Sequence, residues 1–191
     1  MRMRNLTCSL LTVLCCVFAW ACKAETAPSI VKDGKANAQI ITAEKPTRTV
    51  KLAAEELRDA IKKISGAELP ILTKPSDSYP VKIYVGKSTY TDALGISSEG
   101  YKHDSYRIVS GKDYLAFVGD EADLVIKEPF PHSAKDMDRA LKDWKKLTGG
   151  RWAFVGTNQN RAYNKLLDIN MRDGLGTLNG VYEFLRSLGV R

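Results

Sequence analysis

The first 24 residues have the composition of an export leader, and they contain every cysteine of the chain. Arg2 and Arg4 precede an almost unbroken apolar run from Leu10 to Trp20, and the small residues Ala19 and Ala21 then form an A-x-A cleavage pattern. The stretch is too short to cross a bilayer comfortably, so a permanent transmembrane helix is the weaker interpretation. We therefore expect a signal peptide over residues 1–24 and a protein exported to the periplasm, the cell envelope or the medium.

More than one cleavage site fits the leader. Cleavage after Ala24 is one alternative, and cleavage at Ala21 followed by lipidation of Cys22 is another. The cysteines are Cys8, Cys15, Cys16 and Cys22. The remaining chain therefore has no disulfide, no cysteine nucleophile and no cysteine metal ligand, so its stability must come from its hydrophobic core.

Charge argues against a nucleic-acid partner. Removal of Arg2, Arg4 and Lys23 with the leader lowers the formal charge from +7 to +4, because no acidic residue leaves with them. Basic and acidic residues alternate without a long run of one sign, which is typical of a solvated surface. Contact with a membrane is expected only through the leader or a lipid anchor.

Residues 25–37 are small and polar and predict a flexible start, after which residues 38–191 form one domain.

One helix of this domain is well defined by its periodicity. Between Thr49 and Ile64 the apolar residues recur at helical spacing, and Ser65-Gly66 ends the pattern. This helix has one buried face and one charged face.

Short apolar runs predict the strands of a small sheet. Gly111-Lys112-Asp113 separates two of them, which indicates an antiparallel hairpin. The runs are Ala38–Ile41, Leu69–Leu72, Val81–Val85, Ser105–Val109 and Tyr114–Val118.

Two further helices complete the predicted fold. Ser133 is expected to cap one, and the other begins near Thr177. The predicted buried stripes are Met137, Ala140, Leu141, Trp144 and Leu147 in the first, and Leu178, Val181, Leu185 and Leu188 in the second. The predicted class is α/β, in the form of an α+β sandwich: a small mixed sheet with an antiparallel hairpin and about three helices packed on it.

Asp120 and Glu121 are the most suggestive pair of carboxylates. Two neighbouring acids can divide the work of glycoside hydrolysis, one as proton donor and the other facing the charged intermediate. The pair also follows a short strand, where acidic residues commonly form a solvated turn, and we prefer that interpretation.

No cofactor or metal site is expected. Gly174, Gly176 and Gly180 are spaced one residue too far apart for a dinucleotide fingerprint, and a flexible lead-in to the last helix explains them better. His103 and His132 lie in separate polar segments without metal-ligand spacing, so we expect surface histidines.

Aromatic and amide side chains offer a weak sugar-binding site. Trp152 with Asn158, Asn160 and Arg161 could stack on a sugar ring and bind its hydroxyls. Trp144, Tyr101, Tyr106 and Tyr163 are further candidates for such a platform. Trp144 lies on a helical stripe and is expected in the core.

Three stretches resemble the N-terminal accessory domain of secreted glycoside hydrolases, a group that includes β-N-acetylhexosaminidases and α-glucuronidases. The stretches are residues 53–71, with Ala53-Ala54-Glu55-Glu56-Leu57 and Ile64-Ser65-Gly66-Ala67-Glu68-Leu69-Pro70-Ile71, the run Ile83-Tyr84-Val85-Gly86, and residues 176–191, Gly176-Thr177-Leu178 to Gly189-Val190-Arg191. Residues from about 120 to 173 depart from the shorter versions and look like an insertion that carries the Ser133–Leu147 helix.

The resemblance implies a non-catalytic domain. In such enzymes the sugar-cleaving carboxylates lie in a (β/α)8 barrel that follows this domain. We therefore expect a downstream barrel of the same polypeptide as the partner, and we assign no catalytic residue here. A free-standing envelope module that binds glycans is the alternative, and an independent enzyme using Asp120 and Glu121 is a third, weaker hypothesis.

Overall fold

The computed structural model describes residues 28–124, 129, 131–151 and 163–190. Its strands and helices follow the chain in this order: β1 Val31–Lys32, β2 Lys35–Ala36, β3 Ala38–Ile41, α1 Arg48–Ser65, β4 Ile71–Leu72, β5 Val81–Val85, α2 Thr89–Ala93, β6 Tyr106–Ser110, β7 Tyr114–Gly119, α3 Met137–Thr148, β8 Tyr163–Asn164, β9 Ile169–Asn170 and α4 Gly176–Ser187.

The central sheet has five strands in the order β4-β3-β5-β7-β6. Strands β4, β3, β5 and β7 are parallel, and β6 pairs antiparallel with β7, with Ser110 opposite Leu115. The predicted hairpin is confirmed, and the backbone N–H of Gly111 closes its turn by donating to the carbonyl of Tyr114 at 2.9 Å. The predicted α/β class with a small mixed sheet is confirmed as well.

Helix α1 begins and ends as its sequence predicts. The Thr47 hydroxyl accepts a hydrogen bond from the N–H of Val50, which satisfies one of the unpaired amides of the first turn. At the other end Gly66 has a φ of 77°, a left-handed conformation that glycine adopts without a steric penalty, and its N–H donates to the carbonyl of Lys62.

The two faces of the sheet carry two separate clusters of buried side chains. Helices α1 and α4 pack on one face, where Ile40, Ile83 and Phe117 are fully buried. On the other face the cluster is smaller and includes Ile41 and Ala116. The helices and the sheet thus bury an apolar core between them, as expected for a domain without disulfides.

The sequence-based prediction differs from the structure at the N-terminal segment. Part of residues 25–37, which we expected to be flexible, forms the antiparallel pair β1–β2, and Val31 and Ala36 pack against the main core. The prediction missed these strands because each is two residues long, which is too short to show periodicity.

Helix α3 also differs from its prediction. The Ser133 side chain makes no capping hydrogen bond, and a 3-10 turn at Ala134–Asp136 precedes the helix. Trp144 is buried as expected, together with Ala140, but Met137, Leu141 and Leu147 are 38%, 43% and 52% exposed. The face of α3 that the described structure buries is therefore narrower than the apolar stripe.

The last helix follows its prediction more closely. Leu178, Val181 and Leu185 are buried, whereas Leu188 lies after the last helical residue and is 48% exposed.

Candidate functional site

The carboxyl ends of the parallel strands meet the first turns of α1 and α4. In open α/β sheets this edge is where ligands bind, because loops and helix N-termini converge there. The segment after β7, residues 120–123, lies between the two helix starts and contacts both. It is the centre of the candidate site.

Backbone packs directly against backbone at this junction. A Cβ on Gly176 would lie 2.3 Å from both the carbonyl oxygen of Ser105 and the nitrogen of Asp120, and one on Gly174 would lie 2.7 Å from the Asp120 carbonyl oxygen. The N–H of Gly174 donates to Ala122 at 2.8 Å, and that of Gly176 donates to the Asp120 carbonyl at 2.9 Å. The expectation of a flexible lead-in is therefore wrong, since these glycines permit a close approach.

The same contacts argue against a phosphate loop. The N–H of Leu175, just before α4, donates at 2.8 Å to the carboxylate of Asp104. The amides of residues 174, 175 and 176 thus already bind oxygen atoms of the protein itself. Gly180, the third glycine of the pattern, lies within the helix and faces the ring of Tyr106.

Glu121 joins β5, β7 and α4. Its carboxylate accepts the backbone N–H of Lys87 at 2.9 and 3.0 Å, and the hydroxyl of Thr177 donates to it at 2.6 Å. Burial raises the pKa of the Glu121 carboxyl, and the bonds from Thr177 and Lys87 oppose that rise by favouring the charged form.

Asp120 is also engaged within the protein. Its side chain is 8% exposed and forms an ion pair with Arg151, just after α3. The expectation that Asp120 and Glu121 form a solvated turn is therefore wrong, because one carboxylate is buried and the other is largely so. Sequence reasoning missed this because the partners, Arg151 and Thr177, lie 31 and 56 positions away.

The buried carboxylate of Asp173 binds the first residue of α1. The Asp173 side chain is fully buried and accepts hydrogen bonds from Arg48 Nη2 and from the amides of Leu124 and Asn170, each at 2.7 Å. The hydrogen bond to Asp173 raises the pKa of the Arg48 guanidinium. Asp123 accepts the backbone N–H of Arg48 at 3.0 Å, and burial raises the pKa of its carboxyl. A carboxylate at this position complements the helix dipole.

Two clefts open on either side of the Asp120–Arg151 pair. The His103 cleft has a volume of about 450 Å³ and lies between loop 102–104, the end of α3 and residues 171–174. The Tyr101 cleft has a volume of about 710 Å³ and lies between the loops after β3, β5 and β7 and the segment around Tyr101. Asp120 and Arg151 line both clefts.

Most of the predicted site residues lie outside the described part of the chain. This applies to Trp152, Asn158, Asn160 and Arg161 of the expected sugar site, and to Cys22 of the possible lipid anchor. The sugar site around Trp152 and the lipid anchor at Cys22 therefore stay predictions.

The other aromatic candidates are dispersed. Tyr101 lines a cleft, Tyr106 lies on the edge strand β6, Tyr163 belongs to β8, and Trp144 is 2% exposed in the core. Tyr101, Tyr106 and Trp144 therefore do not form one stacking platform.

The histidines lie at the surface, as expected. His103 and His132 are both exposed, and His103 borders the cleft that carries its name. Within residues 28–124, 129, 131–151 and 163–190, no three His, Cys, Asp or Glu side chains are grouped so that they could hold a metal ion. Among the described helices, none is long and apolar enough to span a bilayer.

Comparison with known proteins assigns no family. The chain matches no protein-family model, and no curated protein matches it significantly.

Proposed function

We propose that this chain contributes a non-catalytic α/β domain to an exported carbohydrate-active enzyme, where it supports a catalytic (β/α)8 barrel of the same polypeptide. The observation that carries the proposal is the use of Asp120 and Glu121 in internal contacts. A glycosidase needs two carboxyl groups facing the sugar from opposite sides. Here one carboxylate pairs with Arg151 and the other binds an amide and a hydroxyl of its own chain.

The residues that carry the family resemblance lie in the hydrophobic core or at the contact between α4 and the segment after β7. Ala53, Leu57 and Leu69 are fully buried, and Val85 lies in the same cluster. Thr177 binds Glu121, and its neighbour Gly176 packs on the backbone of residue 120. A sequence pattern made of core and junction residues maintains a fold, which is what an accessory domain shares with its relatives.

A direct assay tests the non-catalytic part of the proposal. The full chain, produced with its own leader, is incubated with a panel of aryl glycosides that includes β-N-acetylglucosaminides and α-glucuronides. We expect no turnover above that of a heat-denatured sample. Turnover that disappears in Asp120→Asn or Glu121→Gln would overturn the proposal and support the independent-enzyme hypothesis.

The genomic DNA beyond codon 191 tests the partner. We expect an open frame of several hundred codons with the strand–helix alternation of a barrel. A stop codon directly after Arg191 in an intact genome would contradict this partner and favour the free-standing module.

A further inference from the structure

The two clefts form one groove along the carboxyl edge of the sheet. They share Asp120 and Arg151, and the loop of residues 98–104 continues from one cleft into the other. Each cleft has the volume of a small-molecule site, and their combined volume has room for more than one ring of a ligand. The groove also lies where open α/β sheets place their ligands.

Acidic and basic side chains along the groove are nearly equal in number. In the His103 cleft, basic and acidic side chains are equal in number: Lys102, Arg151 and Arg172 against Asp104, Asp120 and Asp173. The Tyr101 cleft shares Asp120 and Arg151 with it and adds Lys87 against Asp92 and Glu121, so acidic residues exceed basic ones by one over the whole groove. A groove of this kind does not concentrate the positive charge that phosphate, sulfate or nucleic acid would require. The charge pattern therefore favours a neutral ligand.

The chemistry of the walls is mixed in a way that suits a sugar. The half-buried Tyr101 offers an aromatic surface, and the hydroxyls of Thr89 and Ser98 lie in the same cleft. Among the described lining residues, Met171 is the only large aliphatic side chain, so a lipid chain would find little apolar contact. Sugar rings combine apolar faces with hydroxyl edges, and hydroxyl groups both donate and accept hydrogen bonds.

We propose that this groove binds a neutral oligosaccharide, which lies across the Asp120–Arg151 pair with one ring against Tyr101. Asp120 is buried, and its ion pair with Arg151 holds that guanidinium at the middle of the groove. Lys102 and His103 are exposed at one end and can donate to sugar hydroxyls. The side chains that carry this proposal are not those of the predicted sugar site around Trp152, and the proposal does not depend on a catalytic partner.

Titration calorimetry of the full chain with cellohexaose, xylohexaose and chitohexaose tests the proposal. We expect at least one of them to bind, with an affinity that does not change between 0.05 and 0.5 M NaCl. Tyr101→Ala should weaken binding by about tenfold, and Tyr101→Phe, which keeps the ring, should bind like the wild type. Thr89→Trp, an exposed change that narrows the Tyr101 cleft without removing a packed side chain, should also weaken binding.

Tyr79→Ala is the matched control. Tyr79 is likewise half-buried, but it precedes β5 and so lies at the opposite edge of the sheet. Failure of all three hexasaccharides to bind, or equal binding by wild type and Thr89→Trp, would overturn the proposal. Polygalacturonate serves as the anionic probe. If it alone binds, and if that binding is lost at high salt, the groove is an anion site and the proposal is overturned. None of these outcomes bears on glycoside turnover, so the proposed function is tested separately.

Discussion

Arg48 Nη2 lies 2.7 Å from a carboxylate oxygen of Asp173, a residue 125 positions further along the chain. This contact connects the start of α1 with the segment that leads into α4, and the Thr49 hydroxyl adds a 2.9 Å bond to the carbonyl of Gly174. Both helices that cover the main core are thus fixed at the same edge of the sheet. The candidate groove lies directly above this contact, because Asp173 and Gly174 also line the His103 cleft.

Loss of the Arg48 guanidinium should destabilise the domain strongly. Arg48→Met leaves the Asp173 carboxylate buried without its cationic partner, which costs about 3–5 kcal/mol in comparable buried pairs. The measurement is the free energy of unfolding in urea at pH 7. Arg58→Met is the control, since the Arg58–Asp59 pair lies at the surface and should contribute less than about 1 kcal/mol. Equal losses for the two variants would contradict the assigned role of the buried pair.

The largely buried Glu121 carboxyl should make stability depend on pH. Its pKa in the folded protein is raised, so the folded state binds more protons than the unfolded state between the ordinary value of 4.5 and the folded value. Stability from this group is therefore greatest below that window and declines as the pH rises through it. Relative to Glu121→Gln, the wild type should gain stability as the pH falls from 8 towards 4.5.

Urea unfolding of both proteins at several pH values measures this difference directly. Acidic groups with lowered pKa values, such as Asp59, change stability in the opposite direction, but they are common to both proteins and cancel in the comparison. A difference that stays constant with pH, or that grows in favour of the wild type at high pH, would refute the prediction.

Local signals explain which parts of the fold were predictable from the sequence. Helix α1 was predicted because its periodicity and its stop at Gly66 are signals of the segment itself. The β6–β7 hairpin was predicted for the same reason, since its strands are joined by a short turn.

The environment of the site was not predictable in this way. Whether Asp120 is buried depends on Arg151, and whether Gly176 can carry a side chain depends on the carbonyl of Ser105 in another segment. Both are long-range relations that leave no local pattern. The sequence therefore pointed to Asp120 and Glu121, but it predicted that they are solvated.

Processing of the leader should release a chain that begins at Glu25. Cleavage after Ala24 would place small residues, Cys22 and Ala24, at both recognised positions before the cut. Cys22→Ser keeps a small residue, so the mass of the exported protein should not change, whereas Ala24→Arg should block this cut. Intact-mass spectrometry of the exported protein is the measurement. An acyl modification that disappears in Cys22→Ser would instead show lipidation.

Two glycines of α4 should respond differently to alanine. In Gly176→Ala the new Cβ would lie 2.3 Å from two backbone atoms that cannot move independently, so we expect a loss of at least about 2 kcal/mol. In Gly180→Ala the nearest atom is 3.2 Å away on the ring of Tyr106, which is 38% exposed and able to shift. Alanine also favours the helix by up to about 1 kcal/mol, so this variant should be neutral or more stable. Urea midpoints of the two variants test the close approach of α4 to the Asp120 backbone, because a merely flexible lead-in would tolerate alanine at position 176 as well.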